Sequence, residues 1–143
     1  MGLLDKNRDC VLGLFRAVVG FLFACHGAAA LFDVFGGPHG VAPRLWEWPG
    51  WWAALIQLVG GILVLVGYGT RASAVICSGS MAYAYFSTHQ SAALLPIENG
   101  GEAAVMFCWA FLLIAAMGPG RWALDQIAER SDDTRTEAPL TRH

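Results

Sequence analysis

The sequence predicts an all-α protein, a transmembrane four-helix bundle with up-down-up-down topology. Two observations predict this class. The chain is 56% hydrophobic and 14% charged, whereas soluble domains carry about 25% charged residues. Its apolar residues also fall into four runs of roughly 17 to 22 residues, close to the ~20 that a helix needs to cross a bilayer core. A chain of 143 residues has room for one domain.

The first predicted span covers residues 11–32 and is apolar except for Arg16 and His26. A signal peptide has a shorter, uncharged apolar core of about 7–15 residues. The run seen here is longer and is interrupted by charge. We therefore expect a retained span, preceded by a short cytoplasmic segment at residues 1–10.

The second and third predicted spans cover residues 51–67 and 72–89. A loop rich in Gly, Pro and Trp leads into the second span, and tryptophan favours the headgroup level of a bilayer. The fourth span covers residues 102–118, is uncharged after its first position and stops at a Gly-Pro-Gly sequence. A helix that packs on the core of a water-soluble protein would show polar residues once per turn. This uniformly apolar helix therefore indicates lipid around it.

We expect an interfacial helix at residues 119–130, anchored by Trp122, and a disordered cytoplasmic tail at residues 131–143. Positive residues set the orientation, because the outer side of the predicted membrane carries only Arg44. By the positive-inside rule we expect both termini to face the cytoplasm and the chain to cross the membrane several times. The positive residues on the cytoplasmic side are Lys6, Arg8, Arg71, Arg121, Arg130, Arg135 and Arg142.

Small residues recur at steps of three and four along the spans, which is the spacing of one helix face. They let helix backbones approach closely, and close approach drives helix association in lipid. We therefore expect one seam per span. The seam residues are Gly13, Ala17, Gly20, Ala24 and Gly27 in the first span, Gln57, Gly60, Gly61, Val64 and Gly67 in the second, Ser73, Cys77, Ser80, Ala84 and Ser87 in the third, and Ala104, Cys108, Phe111, Ala115 and Gly118 in the fourth.

Ionisable residues inside a membrane are costly, so each is a candidate for function. His26 and Gln57 each lie about 9 Å in from the outer end of their span, and they therefore share a depth. We predict an outer polar cluster that joins these two residues to the second helix pair. Its further members are His89, Glu98, Asn99 and Glu102.

Two interpretations of the outer polar cluster stay open. In the first it binds a ligand, either a quinone head group or a metal or haem held by His26 and His89. In the second it is hydrogen-bonded packing, with carboxylates near helix N-termini. We do not favour haem, which needs paired axial ligands, and we predict no metal site, since the four cysteines lack CxxC spacing. No catalytic residue is assigned, and no basic patch indicates nucleic-acid binding.

Arg16 lies near the cytoplasmic end of the first span, where its stem can snorkel. We expect a structural anchor that meets Tyr68, the last carbonyls of the second span, or Asp125. Binding of an anionic head group or a partner is the alternative. Arg121, Trp122 and Asp125 are expected to anchor the segment that follows the fourth span.

The chain resembles the DoxX family of small four-helix membrane proteins over residues 12–125. The resemblance rests on LFRAVVGFLFACHGAAALFDVFGG, QLVGGILVLVGYGTR and AYFSTHQ, and above all on NGGEAAV followed by GPGRWALD. One departure is Gln57, where relatives commonly carry Glu. If that carboxylate takes part in proton chemistry, this protein lacks it.

The resemblance implies a plasma-membrane protein associated with redox chemistry, since relatives look like subunits of a thiosulfate:quinone oxidoreductase or of oxidative-stress complexes. The first hypothesis is a non-catalytic accessory subunit of a membrane redox or respiratory assembly. Its partners are lipid and other subunits, and a homo-oligomer is compatible with it. The second is a quinone-linked oxidoreductase subunit in which His26, Gln57 and Glu102 contact the head group. The third is a small-solute or proton pathway, for which four short helices leave little room.

Overall fold

A computed structural model describes residues 7–37 and 42–126. The regular secondary structure in this part of the chain is entirely helical. The helices are α1 (Arg8–Phe32), α2 (Gly50–Val66), α3 (Thr70–Ala84), α4 (Pro96–Asn99) and α5 (Glu102–Met117), and a π-helical turn (Tyr85–His89) continues α3.

Local sequence signals set the helix ends. Gly67 follows α2 in the left-handed region at φ 75° and donates its N–H to Leu63 O. The N–H of Tyr68 also donates to Leu63 O, at 3.0 Å, which completes the Schellman stop that glycine favours. Asp33 ends α1 in the same left-handed region. Pro96 begins α4, where a proline ring is already suited to the first helical turn.

α1 and α2 pack backbone against backbone through glycine. A Cβ atom added to Gly20 would lie 2.6 Å from Leu65 N, and one added to Gly61 would lie 2.5 Å from Ala24 N. Gly27 meets the α2 backbone in the same way. These positions have no room for a side chain, and this explains why the small-residue face predicted from the sequence lies between the two helices.

α3 packs mainly on α5, and this interface is closed by larger side chains. Cys77 of α3 is fully buried, as are Phe111 and Ile114 of α5. Ser78 Oγ donates to Cys108 O at 2.8 Å. The predicted seam of the third span fails at its last member, Ser87, which is exposed and bonds back to its own helix. The π-helical turn shifts the register there, because it adds one residue to the turn.

Large apolar side chains cover the outward faces of the four long helices. Soluble proteins rarely expose extensive apolar surface of this kind. Trp109, for example, is 66% exposed in the middle of α5. Other exposed residues on these faces are Leu14, Val18, Phe21, Leu22, Val59, Ile62, Val75, Ile76, Met106, Leu112 and Leu113.

Among the described helices, α1 alone has both the length and the apolar composition expected of a membrane crossing. α2 and α5 are apolar but shorter, with 17 and 16 residues. α1 begins at Arg8, before the predicted start of the first span, and α4 lies in a loop for which no helix was predicted.

The predicted interfacial helix at residues 119–130 is wrong at its start. Residues 119–123 are not helical, and Gly118, Gly120 and Trp122 all have positive φ. The chain turns there because side chains of other helices bind its carbonyls, as described below. Helical backbone begins at Leu124. The remainder of that predicted helix, the predicted tail at residues 131–143 and most of the segment at residues 1–10 lie outside the described residues.

Candidate functional site

A cavity of about 160 Å³ lies between the four long helices, towards the end of the bundle that carries the π-helical turn. Each of these helices contributes to its wall. The lining residues are Phe23 and His26 of α1, Gln57 of α2, Met81, Ala84 and His89 of α3 and its π-helical turn, and Ala103, Ala104 and Phe107 of α5.

Aromatic rings form much of the wall of this central cavity. The ring centroids of Phe23 and Phe107 are 5.2 Å apart, and His26 meets Phe107 edge to face at 5.6 Å. Phe23 and His26 share one face of α1 because they are three residues apart. His26 therefore points towards α5, away from the glycine contacts with α2.

His26 and Gln57 leave their polar atoms available to a ligand. Neither side chain has a hydrogen-bond partner among the described residues. Gln57 is half-buried and His26 is exposed. Buried polar groups are normally paired, so the unpaired amide of half-buried Gln57 at a cavity wall is a feature expected of a binding site.

His89 is fixed on the opposite wall by the π-helical turn and the loop that follows it. Its Nδ1 lies 3.1 Å from the backbone O of Asn99, and its ring stacks on Tyr85 with centroids 6.5 Å apart. π-helical turns inside α-helices are frequent at functional sites. Here the π-helical turn carries the imidazole of His89, which lines the cavity.

Asn99 organises the loop and does not line the cavity. Its Nδ2 donates to Ala93 O at 2.9 Å, and its Oδ1 accepts from Gly101 N at 2.8 Å. Glu98 and Glu102 are exposed and also lie outside the cavity wall. Glu102 is in the first turn of α5, where a carboxylate suits the helix dipole.

The predicted outer polar cluster therefore divides into three groups. His26, Gln57 and His89 surround one cavity, Asn99 supports His89, and the two glutamates face outward. In the described part of the chain, no three side chains of His, Cys, Asp or Glu converge as metal ligands would. The sequence analysis did not predict the apolar part of the cavity wall. The three-residue spacing of Phe23 and His26 was the signal that could have indicated it.

The other end of the bundle is organised by Arg16, whose side chain is 2% exposed. Nη1 donates to the carbonyls of Val64 and Leu65 at 2.8 and 2.9 Å, and thus caps the last turn of α2. Nη2 donates to the carbonyls of Arg121 and Trp122 at 3.3 and 3.1 Å. Nε has no partner. One guanidinium thus joins α1, α2 and the segment after α5.

Asp125 caps the start of α3 from the same segment. Its carboxylate accepts from Gly69 N at 2.7 Å, from Thr70 N at 2.9 Å and from Thr70 Oγ1 at 2.7 Å. Partial burial by itself raises the pKa of Asp125. These hydrogen bonds and the charge of Arg16 together lower it by more, so the pKa lies below its ordinary value.

Arg71 and Arg121 also make contacts at this end. Arg71 Nη1 donates to the carbonyls of Ala115 and Ala116 at 2.7 and 3.1 Å, which caps the end of α5. The Arg121 guanidinium lies 5.6 Å from the exposed ring of Trp122. Tyr68 is exposed and is not a partner of Arg16.

Comparisons with known proteins agree with this description. A sequence profile of the DoxX family matches residues 11–90. An uncharacterized protein of Haemophilus influenzae is 38% identical over 133 residues, covering 87% of this chain and 96% of that protein. No solved structure matches the chain.

The helices and their apolar outer surface define a small, all-helical protein that associates with the lipid bilayer. More specifically, the chain belongs to the DoxX family and is a DoxX-like membrane protein.

Proposed function

We propose that the protein crosses the plasma membrane four times, through α1, α2, α3 with its π-helical turn, and α5, with both termini in the cytoplasm. The apolar outward faces support this topology. Arg8, Arg71 and Arg121 are at one end of the bundle, whereas Arg44 is in a loop at the other. The 16 residues of α5 span about 24 Å, so the bilayer thins locally around this helix.

Within this topology, the central cavity binds the ring of a quinone-class molecule, and the protein acts as a non-catalytic subunit of a membrane redox assembly. The observation that carries this proposal is the cavity itself. Its volume of about 160 Å³ is close to the roughly 150 Å³ at which an engineered apolar cavity binds benzene. One six-membered ring fits, and a haem does not.

The cavity wall combines apolar side chains with a few polar groups at defined positions, as ligand sites do. Half-buried Phe107 offers ring surface for stacking, and buried Phe23 supports it from behind. His26, Gln57 and His89 offer hydrogen bonds to polar atoms on the ring edge. Larger ring substituents would leave through the open mouth of the cavity.

The structure gives less support to a solute or proton pathway. Between the cavity and the far end of the bundle, Val64, Phe111 and Ile114 are fully buried and tightly packed. Arg16 lies beyond them. A continuous aqueous path would have to displace this core.

Binding of duroquinone to the protein purified in mild detergent tests the ligand proposal. Saturation-transfer NMR gives a signal for the wild type, and equilibrium dialysis gives its affinity. We expect Gln57→Leu and His26→Phe to weaken binding at least fivefold. Gln126→Leu, at the opposite end of the bundle, is the matched control and leaves binding unchanged. A wild type that does not bind the probe overturns the proposal.

Mild solubilisation from native membranes tests the subunit role. A redox complex that co-purifies with the tagged protein, and that retains turnover, supports it. A lone monomer counts against it. Turnover that survives both His26→Ala and Glu102→Gln would argue that the outer end has no part in the activity of that complex.

A further inference from the structure

We infer that the central cavity selects ligands that donate a hydroxyl hydrogen, such as phenols and hydroquinones, over ligands that present only carbonyl oxygens. This inference rests on the proposed function and adds the hydrogen-bonding polarity of the same site. It concerns binding alone and involves no redox step at the protein.

His89 carries the argument, because its protonation pattern is fixed by its partner. A backbone carbonyl oxygen can only accept a hydrogen bond. Nδ1 of His89, 3.1 Å from Asn99 O, must therefore bear the proton. In a neutral imidazole the other nitrogen is then an acceptor. Nε2 has no partner among the described residues, so the His89 ring, which lines the cavity, keeps one unpaired acceptor.

The partner of His89 is itself held in place. Asn99 bonds through its side chain to Ala93 O and Gly101 N, and the ring of Tyr85 stacks on His89. The imidazole therefore cannot turn over to offer a donor without breaking the contacts of the loop. This is the support that a fixed tautomer requires.

The other two polar groups adapt to either kind of ligand. Gln57 carries both a donor and an acceptor in one amide. His26 has no hydrogen bond to fix its tautomer and touches only the edge of Phe107 among ring partners. Because these two groups can pair with a hydroxyl or a carbonyl, the fixed acceptor of His89 decides the preference.

The expected preference is about tenfold. A hydroxyl ligand satisfies Nε2, whereas a carbonyl ligand places two acceptors together and leaves Nε2 desolvated without a donor. Sites built to pair with a hydroxyl reject analogues that lack it, because a buried polar group is left unpaired.

The test compares durohydroquinone and duroquinone, which differ by two hydrogens and share all ring substituents. Binding to the full-length protein in detergent is measured anaerobically at pH 8. We expect the hydroquinone to bind about tenfold more tightly. His89→Phe keeps a ring against Tyr85 and should remove the preference. Gln57→Leu is the control and should weaken both probes while keeping their ratio.

The outcomes separate the two proposals. Equal binding, or tighter binding of duroquinone, overturns the inference and leaves the proposed function standing. If neither probe binds, the proposed function is overturned and the inference with it. If His89→Phe does not fold, the ratio of the two affinities in the wild type, and its persistence in Gln57→Leu, still decide whether the cavity prefers the hydroquinone.

Discussion

The two ends of this bundle differ in how their polar side chains are paired. At one end, Arg16, Arg71 and Asp125 make eight hydrogen bonds to backbone groups. At the other, His26 and Gln57 line a cavity and make none to the described residues. The hydrogen bonds at the first end hold helices together, whereas the unpaired groups at the second are the ones that the proposed ligand would contact.

This difference teaches that a polar residue inside an apolar helix has no fixed meaning. Arg16 lies in the same helix as His26, yet its role is set by the free carbonyls at the end of α2. The role of His26 is set by an aromatic wall. The contrast predicts that substitutions at the Arg16 end change stability, whereas substitutions at the cavity change binding.

The largest effect is expected for Arg16→Leu. It leaves four backbone carbonyls and Asp125 without the guanidinium, so we expect a loss of about 3 kcal/mol or more in unfolding free energy. Denaturation in detergent measures it. Arg44→Leu removes an exposed arginine and should leave the midpoint nearly unchanged. Similar midpoints for the two variants would show that the Arg16 end does not hold the fold together.

The glycine contacts between α1 and α2 give the next effect. Gly61→Ala places a methyl group against the α1 backbone, and we expect a loss of about 2 kcal/mol. Gly79→Ala is the same chemical change on the outside of α3, where a Cβ meets nothing within 4 Å. That control should be neutral or stabilising by up to about 1 kcal/mol. Thermal unfolding measures both variants. A shift of the midpoint with the same sign in both would contradict the packing described here.

A smaller effect is expected for Asp125→Asn, which weakens the cap of α3 and should cost about 1 kcal/mol at neutral pH. Because folding lowers the pKa of Asp125, its contribution is present above the ordinary aspartate value of 3.8. It is lost as pH falls through the lower folded value. Unfolding curves of wild type and variant should therefore converge in acid. A gap that stays constant with pH would show that the charge does not matter.

The smallest effect is expected for Glu102→Gln. Glu102 is exposed and outside the cavity wall, so the unfolding free energy should change by less than about 0.5 kcal/mol, and duroquinone affinity should not change. A clear loss of affinity would extend the site to the start of α5 and weaken the contrast between the two ends.

Local sequence patterns predicted the all-helical class of this protein. Small residues at steps of three and four identified the face at which Gly20 and Gly61 meet, because close approach depends on side-chain size alone. Helix geometry also predicted a common depth for His26 and Gln57, and both residues line one cavity. Both are properties of single helices, and one sequence contains them.

Features that depend on distant partners were beyond the reach of these patterns. The π-helical turn at Tyr85–His89 accompanies the contacts of His89 with the loop around Asn99. The segment after α5 is not helical, and two of its carbonyls accept hydrogen bonds from Arg16, which lies more than one hundred residues earlier. The cavity volume depends on four helices at once, and apolar residues in an apolar chain give no signal of it.

The reach of Arg16 also has a consequence for biosynthesis. Its guanidinium contacts carbonyls that follow it by 105 and 106 residues in the chain, and translation proceeds at about 5–20 residues per second. In the proposed topology, the first helix therefore enters the lipid roughly 5–20 s before the ribosome delivers these last two acceptors. During that interval the nascent chain carries an incompletely paired positive charge, and the insertion machinery must tolerate it.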